Sequence, residues 1–257
     1  MLTKSTMKLI RALDSRKGRR REGLFVAEGP KLVGELLEHF VLRQLFVASE
    51  SRPLFISLLK RVPPEAVVEL TAEELSRASL QQTPQGILAL FEIPDFSADV
   101  AAVASSSLTL VLDDVQDPGN LGTIVRLANW FGVSDIFCTP ATADVWNPKA
   151  VQATMGGLAR VRVHILNSLP AALASLPPSV PIYGTSLQGQ NIWQADLAPS
   201  GVVIMGNEGR GVSPEVDACC RQRLYIPSYP IGSYTTDSLN VAMATGIVLA
   251  EFRRRQS

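Results

Sequence analysis

Apolar positions along the chain fall into two regimes. Over the first hundred residues they come in short bursts, alternately at helical and at strand spacing. The stretch STMKLIRALDS predicts a helix, the basic run after it a turn, and residues 24–27 a short strand. Leu32, Val33, Leu36, Leu37 and Phe40 then repeat with the helical period. Pro30 suits the first turn of that helix, where its missing N–H leaves nothing unpaired. LRQLFVAS, AVVEL and QGILALFEIP predict strands around a further helical patch. Residues 1–95 therefore read as a compact α/β unit.

The stretch PDFSADVAAVASSS is polar and rich in small residues, and predicts a linker over residues 96–107. From residue 108 the apolar runs lengthen: LTLVLDD, VSDIFCT, VRVHIL, PIYGTS, GVVIMGNEG and RLYIPS. Continuous Val, Ile and Leu runs separated by helical patterns predict a mainly parallel sheet covered on both faces. Residues 108–257 form the second domain of this reading, and no internal repeat interrupts it.

Composition adds three constraints. Lys and Arg total 24, as do Asp and Glu, so the formal net charge is zero and overall balance predicts no acidic partner. The distribution differs from the sum. Lys4, Lys8, Arg11, Arg16, Lys17, Arg19, Arg20 and Arg21 face one acid, Asp14, within the first 21 residues. Such a run is either a solvated terminus or a basic arm for nucleic acid. Three cysteines, two of them adjacent (Cys219, Cys220), suit a reduced compartment rather than a disulfide framework. His39 and His164 stand far apart without ligand spacing, so no metal is expected. The start is polar with no apolar h-region, and no run of about 18 apolar residues follows, so a soluble cytoplasmic protein is expected.

Candidate chemistry gathers in three loops. Each follows an apolar strand, is rich in Gly, Pro or Asn, and leads on to a helix, and ligands collect at the carboxyl ends of strands in open parallel sheets. In DPGNLGTIVRLANWFG, Asn120 is an N-cap candidate, and Arg126 sits less than two turns further along the helix. In VVIMGNEGRGVS, Gly206, Gly209 and Gly211 permit close backbone approach around Glu208, but the spacing matches no phosphate-binding fingerprint. In LYIPSYPIGSYTTDSLNVAMATGIVLAEFRRR, Asp237 or Ser238 is a candidate cap of a closing helix, and Arg253, Arg254 and Arg255 suit its negative end.

Taken in order, NLGTIVR, GNEGRG and IP…DSLNVAMATGI resemble the motifs of the SpoU (TrmH-like) branch of the SPOUT RNA methyltransferases. They span most of residues 108–252. LIRALDSRKGRRREGLFVAEGPKLVGELL resembles the ribosomal-protein-like domain that precedes the catalytic domain in rRNA-modifying members. The resemblance implies a deep trefoil knot, S-adenosylmethionine as methyl donor, a ribose 2′-hydroxyl as acceptor, and a homodimer through the catalytic domain. By position it implies catalytic roles for Arg126, Asn120, Glu208, Ser238 and Asn240, with Asn120 and Glu208 orienting the Arg126 guanidinium. Cofactor contacts fall on Gly206, Ile226, Leu239 and Thr139, largely through backbone groups. RNA contacts fall on Lys8, Arg11, Arg16, Lys17, Arg19, Arg20 and Arg21.

The chain departs from the family pattern in places. Residues 228–237 are longer and more aromatic than usual, which makes Tyr229 and Tyr234 candidates for a base or the adenine, against a packed-loop reading. Asp237 stands where the family often has Glu. Lys149 and Thr154 stand where it has Lys and often Ser. The leading domain favours rRNA, 23S in particular, over tRNA as substrate. A non-catalytic RNA-binding assembly factor on the same fold is the alternative of another class, and a nicotinamide-dependent dehydrogenase is disfavoured by the absent G-x-G-x-x-G.

Overall fold

The computed structural model describes residues 2–230 and 236–256. It divides into two compact units, Met1–Asp95 with Asp144–Ala159, and Phe96–Ala143 with Arg160–Ser257. The first unit therefore takes in a segment that the sequence placed inside the second domain.

In the first unit, α1 (Lys4–Ala12) and α2 (Arg16–Glu22) lead to β1 (Leu24–Glu28), α3 (Pro30–Leu36) and β2 (Leu42–Ala48). A 3₁₀ turn runs into α4 (Ile56–Leu59), followed by β3 (Val67–Leu70), α5 (Ala72–Ala78) and β4 (Ile87–Glu92). The sheet order is β1-β4-β2-β3, antiparallel except for the β2–β3 pair. The basic run is the helix α2 and not a turn. Ser15 caps it, accepting the Gly18 N–H at 3.0 Å, and Gly23 ends it at φ 66°. Only a residue without a side chain fits at 18, because a Cβ there would collide with the Ala12 carbonyl.

Arg19 lies inside this unit at 2% exposure. Its Nη1 donates to the carbonyls of Leu13 and Asp14, both at 2.8 Å, and its Nε and Nη2 donate to Asp144 Oδ2 at 2.9 and 2.6 Å. Trp146 packs tilted against Phe25 at 4.7 Å and meets Phe40 edge-on at 5.9 Å. A buried ion pair and an aromatic cluster thus draw in the segment that carries α8 (Pro148–Ala153). Thr154 is fully buried, with its hydroxyl on the Val151 carbonyl.

The second unit begins with α6 (Val100–Ser106) where a linker was expected. Asp99 caps it at the Ala101 N–H, and Val100 and Ala104, one turn apart, enter the core beside Val111, Leu173 and Ile182. Then follow β5 (Leu108–Leu112), α7 (Pro118–Trp130), β6 (Asp135–Cys138), β7 (Arg162–Ile165), α9 (Leu169–Ala174) and β8 (Ile182–Asn191). The unit closes with β9 (Gly201–Met205), α10 (Pro214–Asp217), β10 (Gln222–Tyr225) and α11 (Val241–Arg254). All five strand pairings are parallel, in the order β10-β8-β9-β5-β6-β7. The chain winds one way from β5 through β6 to β7 and then returns on the other side. That places a topological switch point between β5 and β9.

Helices α7 and α11 pack together, with Gly246 opposite Leu127. The three closing arginines are spent on this arrangement rather than on the dipole of α11 alone. Arg253 donates to the carbonyls of Phe131 (2.6 Å) and Gly132 (3.1 Å) at the end of α7. Arg255 donates to the carbonyls of Ile192, Trp193 and Ala195. Glu251, 4% exposed, accepts from both Arg254 and Arg255, and the Arg254 hydrogen bond leads in holding its carboxyl down at about 2.

Candidate active site

The carboxyl ends of β9, β5 and β6 release three loops side by side. After β5, Asp113 and Asp114 precede the start of α7, whose N-cap is Asp117. Its carboxylate accepts the Asn120 N–H at 2.8 Å, with Pro118 in the first turn. Asn120 is therefore not the cap, and its carboxamide is left for other work. Nδ2 donates to Glu208 Oε1 at 2.9 Å, and Oδ1 accepts from Asn240 Nδ2 at 3.0 Å.

Glu208 stands at the tip of a loop closed on itself by paired backbone hydrogen bonds between Asn207 and Gly211, each 2.9 Å. The Asn207 side chain stitches it from within, accepting the Gly209 and Arg210 N–H groups at 3.0 Å. Gly206 is required because a Cβ there would strike the Gly211 backbone, so its close approach is to its own loop. The second Glu208 oxygen faces the Gln116 N–H at 3.5 Å.

Asn240 is the N-cap of α11, with Oδ1 accepting from Ala242 N (3.0 Å) and Met243 N (3.2 Å). This replaces the expected cap by Asp237 or Ser238, which lie exposed just before it. One bonded series, Glu208–Asn120–Asn240, thus joins the N-terminal ends of two helices to a glycine loop. Its oxygens and amides lie at the surface, where a ligand can reach them.

Residues 107–250 match the model of the SpoU rRNA methylase family, and residues 4–89 match an MRM3-like substrate-binding domain. The chain belongs to the SpoU rRNA methylase family. RlmP of Bacillus subtilis, a 23S rRNA (guanosine-2′-O)-methyltransferase, is 30% identical, with 94% of this chain and 93% of that protein covered. A TrmH-family structure from Porphyromonas gingivalis is 42% identical with a TM-score of 0.87, covering 99% of each chain. An rRNA methyltransferase from Sinorhizobium meliloti, solved with S-adenosylmethionine bound, is 30% identical with a TM-score of 0.84, over 100% of this chain and 97% of that one.

The other SpoU positions fall into distinct places. Arg126 is exposed on α7, and no hydrogen bond or ion pair holds it among the described residues. Six residues of helix set it about 9 Å along the axis and about 120° around from Asn120. Asn120 and Glu208 therefore bond each other, and the expected orientation of the Arg126 guanidinium by them is not found. Ile226 and Leu239 lie outside helix and strand, and their peptide groups make no hydrogen bond among the described residues. Thr139 differs. Its hydroxyl accepts the Asp114 N–H at 2.9 Å and meets Thr142 Oγ1 at 3.0 Å, and its N–H and carbonyl serve Leu112 and Thr142, so it braces the loops.

Tyr229 is 92% exposed and so is no packed-loop aromatic, whereas Tyr234 lies outside the described residues. In the first unit Lys8, Arg11, Lys17, Arg20 and Arg21 are exposed and Arg16 half-buried. Arg19 is removed from the RNA-facing set by its burial against Asp144. Asn207, Asp117 and Asp114 are the polar residues of the site that sequence reasoning passed over. The Asp-Pro pair at the head of a helix was a readable cap signal; the other two carried none. Among the described residues no group of three or more His, Cys, Asp or Glu could hold a metal, and no helix is long and apolar enough to cross a membrane.

Proposed function

We propose that this protein transfers a methyl group from S-adenosylmethionine to a ribose 2′-hydroxyl of ribosomal RNA, 23S rRNA in particular. The observation that carries the reading is the bonded series Glu208–Asn120–Asn240, drawn from three separate segments to the switch point of a SpoU-family sheet. The near full-length likeness to RlmP supports rRNA as the substrate class.

The unpaired peptide groups of Ile226 and Leu239 suit adenine and ribose, which need neutral donors and acceptors rather than a pyrophosphate cradle. When bound, the cofactor supplies a sulfonium-held methyl group. The protein's part is alignment and charge. Asn120 and Asn240 fix the loop ends between which the ribose sits, and the exposed Ser238 hydroxyl reaches the sugar. Arg126 is exposed on α7, with its donors unspent among the described residues. Its guanidinium offers N–H donors and no acceptor. It therefore acts as a clamp on the neighbouring phosphate and on the charge that develops at the 2′-oxygen, and not as a base.

Lys8, Arg11, Arg16, Lys17, Arg20 and Arg21 supply phosphate contacts from the first unit. Apolar exposure at Trp130 (82%) on α7 and Met243 (64%) on α11 marks both members of a packed helix pair. It supports a homodimer through the catalytic domain, and the trefoil knot belongs to the same proposal.

The test is methyl transfer from labelled S-adenosylmethionine to 23S rRNA and, in parallel, to tRNA, with mapping of 2′-O-methyl sites and calorimetry of cofactor binding. A single methylated ribose in rRNA is expected. Absence of cofactor binding, or a methyl group on a base, would overturn the reading, and transfer to tRNA alone would change the substrate.

A further inference from the structure

We propose that Asp114 is a positioning residue of the methyl-transfer site, acting through Arg210 to hold the Glu208 loop where Glu208 meets Asn120. The inference rests on the catalytic reading above for its kinetic consequence, but its structural half stands alone.

Asp114 has φ 63°, a left-handed conformation that residues other than glycine seldom adopt and that Asp tolerates better than most. Every polar group it owns is engaged. Its N–H donates to Thr139 Oγ1 at 2.9 Å, in the loop after β6. Its carbonyl accepts from Asn207 Nδ2 at 2.8 Å, in the loop after β9. One carboxylate oxygen accepts from Gln116 Nε2 at 3.0 Å, and the other pairs with Arg210 Nη2. Three loops from three adjacent strands therefore converge on one residue.

The consequence for Glu208 follows from chain order. Asn207 and Arg210 bracket it, and both are tied to Asp114, one through the backbone and one through the ion pair. Gln116, held by the Asp114 carboxylate, places the N–H that faces the second Glu208 oxygen. Arg210 is 73% exposed, and an ion pair so open to water contributes little to global stability. Its use lies in register. With the charge removed from residue 114, the loop tip keeps its internal stitching by Asn207 and the Asn207 bond to the carbonyl of residue 114 but loses the ion-pair tether at Arg210, and the Glu208–Asn120 bond becomes intermittent.

Asp114→Asn separates these roles, since Asn also accepts positive φ and keeps an oxygen for Gln116, yet offers no charge to Arg210. Asp114→Gly removes the side chain and eases the backbone. Both variants, Arg210→Gln and the Asp114→Asn/Arg210→Gln double variant are measured for thermal unfolding, amide hydrogen exchange of residues 206–212, S-adenosylmethionine affinity, and kcat and KM with rRNA. The expected result is unchanged melting, exchange in 206–212 faster by about fivefold or more, and kcat lower by about tenfold or more with KM for RNA little changed. The double variant should be no worse than either single one, as for two partners of one interaction. Unchanged exchange in Asp114→Asn, or effects of the two substitutions that multiply, would overturn the proposal. If the wild-type protein transfers no methyl group, the catalytic reading fails, while the exchange arm still decides whether Asp114 holds the loop.

Discussion

Arg19 on α2 and Arg126 on α7 carry the same guanidinium on helices that each end against a glycine, yet their surroundings are opposite. Arg19 is 2% exposed and spends its donors on two backbone carbonyls and the Asp144 carboxylate. Arg126 is exposed, with its donors unspent among the described residues. The first is architecture, because a buried cation is tolerated only when its charge and its hydrogen bonds are both met. The second is available to a ligand that brings phosphate or developing negative charge. What separates them is the presence of a carboxylate within reach.

The largest test of this contrast falls on the buried side. Arg19→Ala leaves Asp144 without its partner and is expected to lower unfolding free energy by roughly 3–5 kcal/mol, measured by denaturant titration. A loss within about 1 kcal/mol, the range of surface pairs, would remove the distinction. Arg19→Lys should fall between, since an ammonium cannot reproduce a fork that serves Asp144 and two carbonyls together.

A smaller effect is expected from the exposed basic residues on the same helix. Lys17, Arg20 and Arg21 changed together to Ala should leave melting unchanged. They should weaken rRNA binding and reduce the slope of log affinity against log salt by about 2–3. An unchanged slope would return α2 to a solvated surface.

The smallest concerns the helix pair that carries Arg126. The Glu251 carboxyl is held at about 2, below its ordinary 4.5, first by the Arg254 hydrogen bond and then by Arg255. A depressed carboxyl stabilises the fold fully above its unfolded value and loses that contribution as pH falls through the folded one. Stability should therefore decline between about pH 4.5 and 2 more steeply in the wild type than in Glu251→Gln, as read by thermal melts across that window. Equal slopes would show that the α11 brace does not depend on this charge.

Much of the fold was legible because strands declare themselves locally. Each apolar run read as a strand is one, and the all-parallel second sheet follows from their continuous burial. The helix α2 was misread as a turn because its residues are nearly all charged, although Ser15 and Gly23 marked both its ends. The destination of Asp144–Ala159 was not legible, since it depends on a carboxylate 125 residues from Arg19 and on Trp146 finding Phe25. At the site, motif order pointed to Asn120, Glu208 and Asn240, but not to their bonding, which spans 88 and 120 residues. The caps were displaced in a simple way. Asp117 and Asn240 each immediately precede the first helical residue, where a cap belongs, whereas Asn120 sits three residues inside. Asp114 gave no signal, because a left-handed residue that is not glycine is invisible to composition.

The central claim is that Arg126 serves transfer and not architecture or cofactor binding. Single-turnover methylation of 23S rRNA by Arg126→Ala, with calorimetry of S-adenosylmethionine on the same preparation, tests it most directly. The account predicts cofactor affinity and melting like the wild type, with transfer slower by about 10²–10³-fold, the loss that follows removal of one charge-stabilising donor. Transfer at the wild-type rate would contradict it.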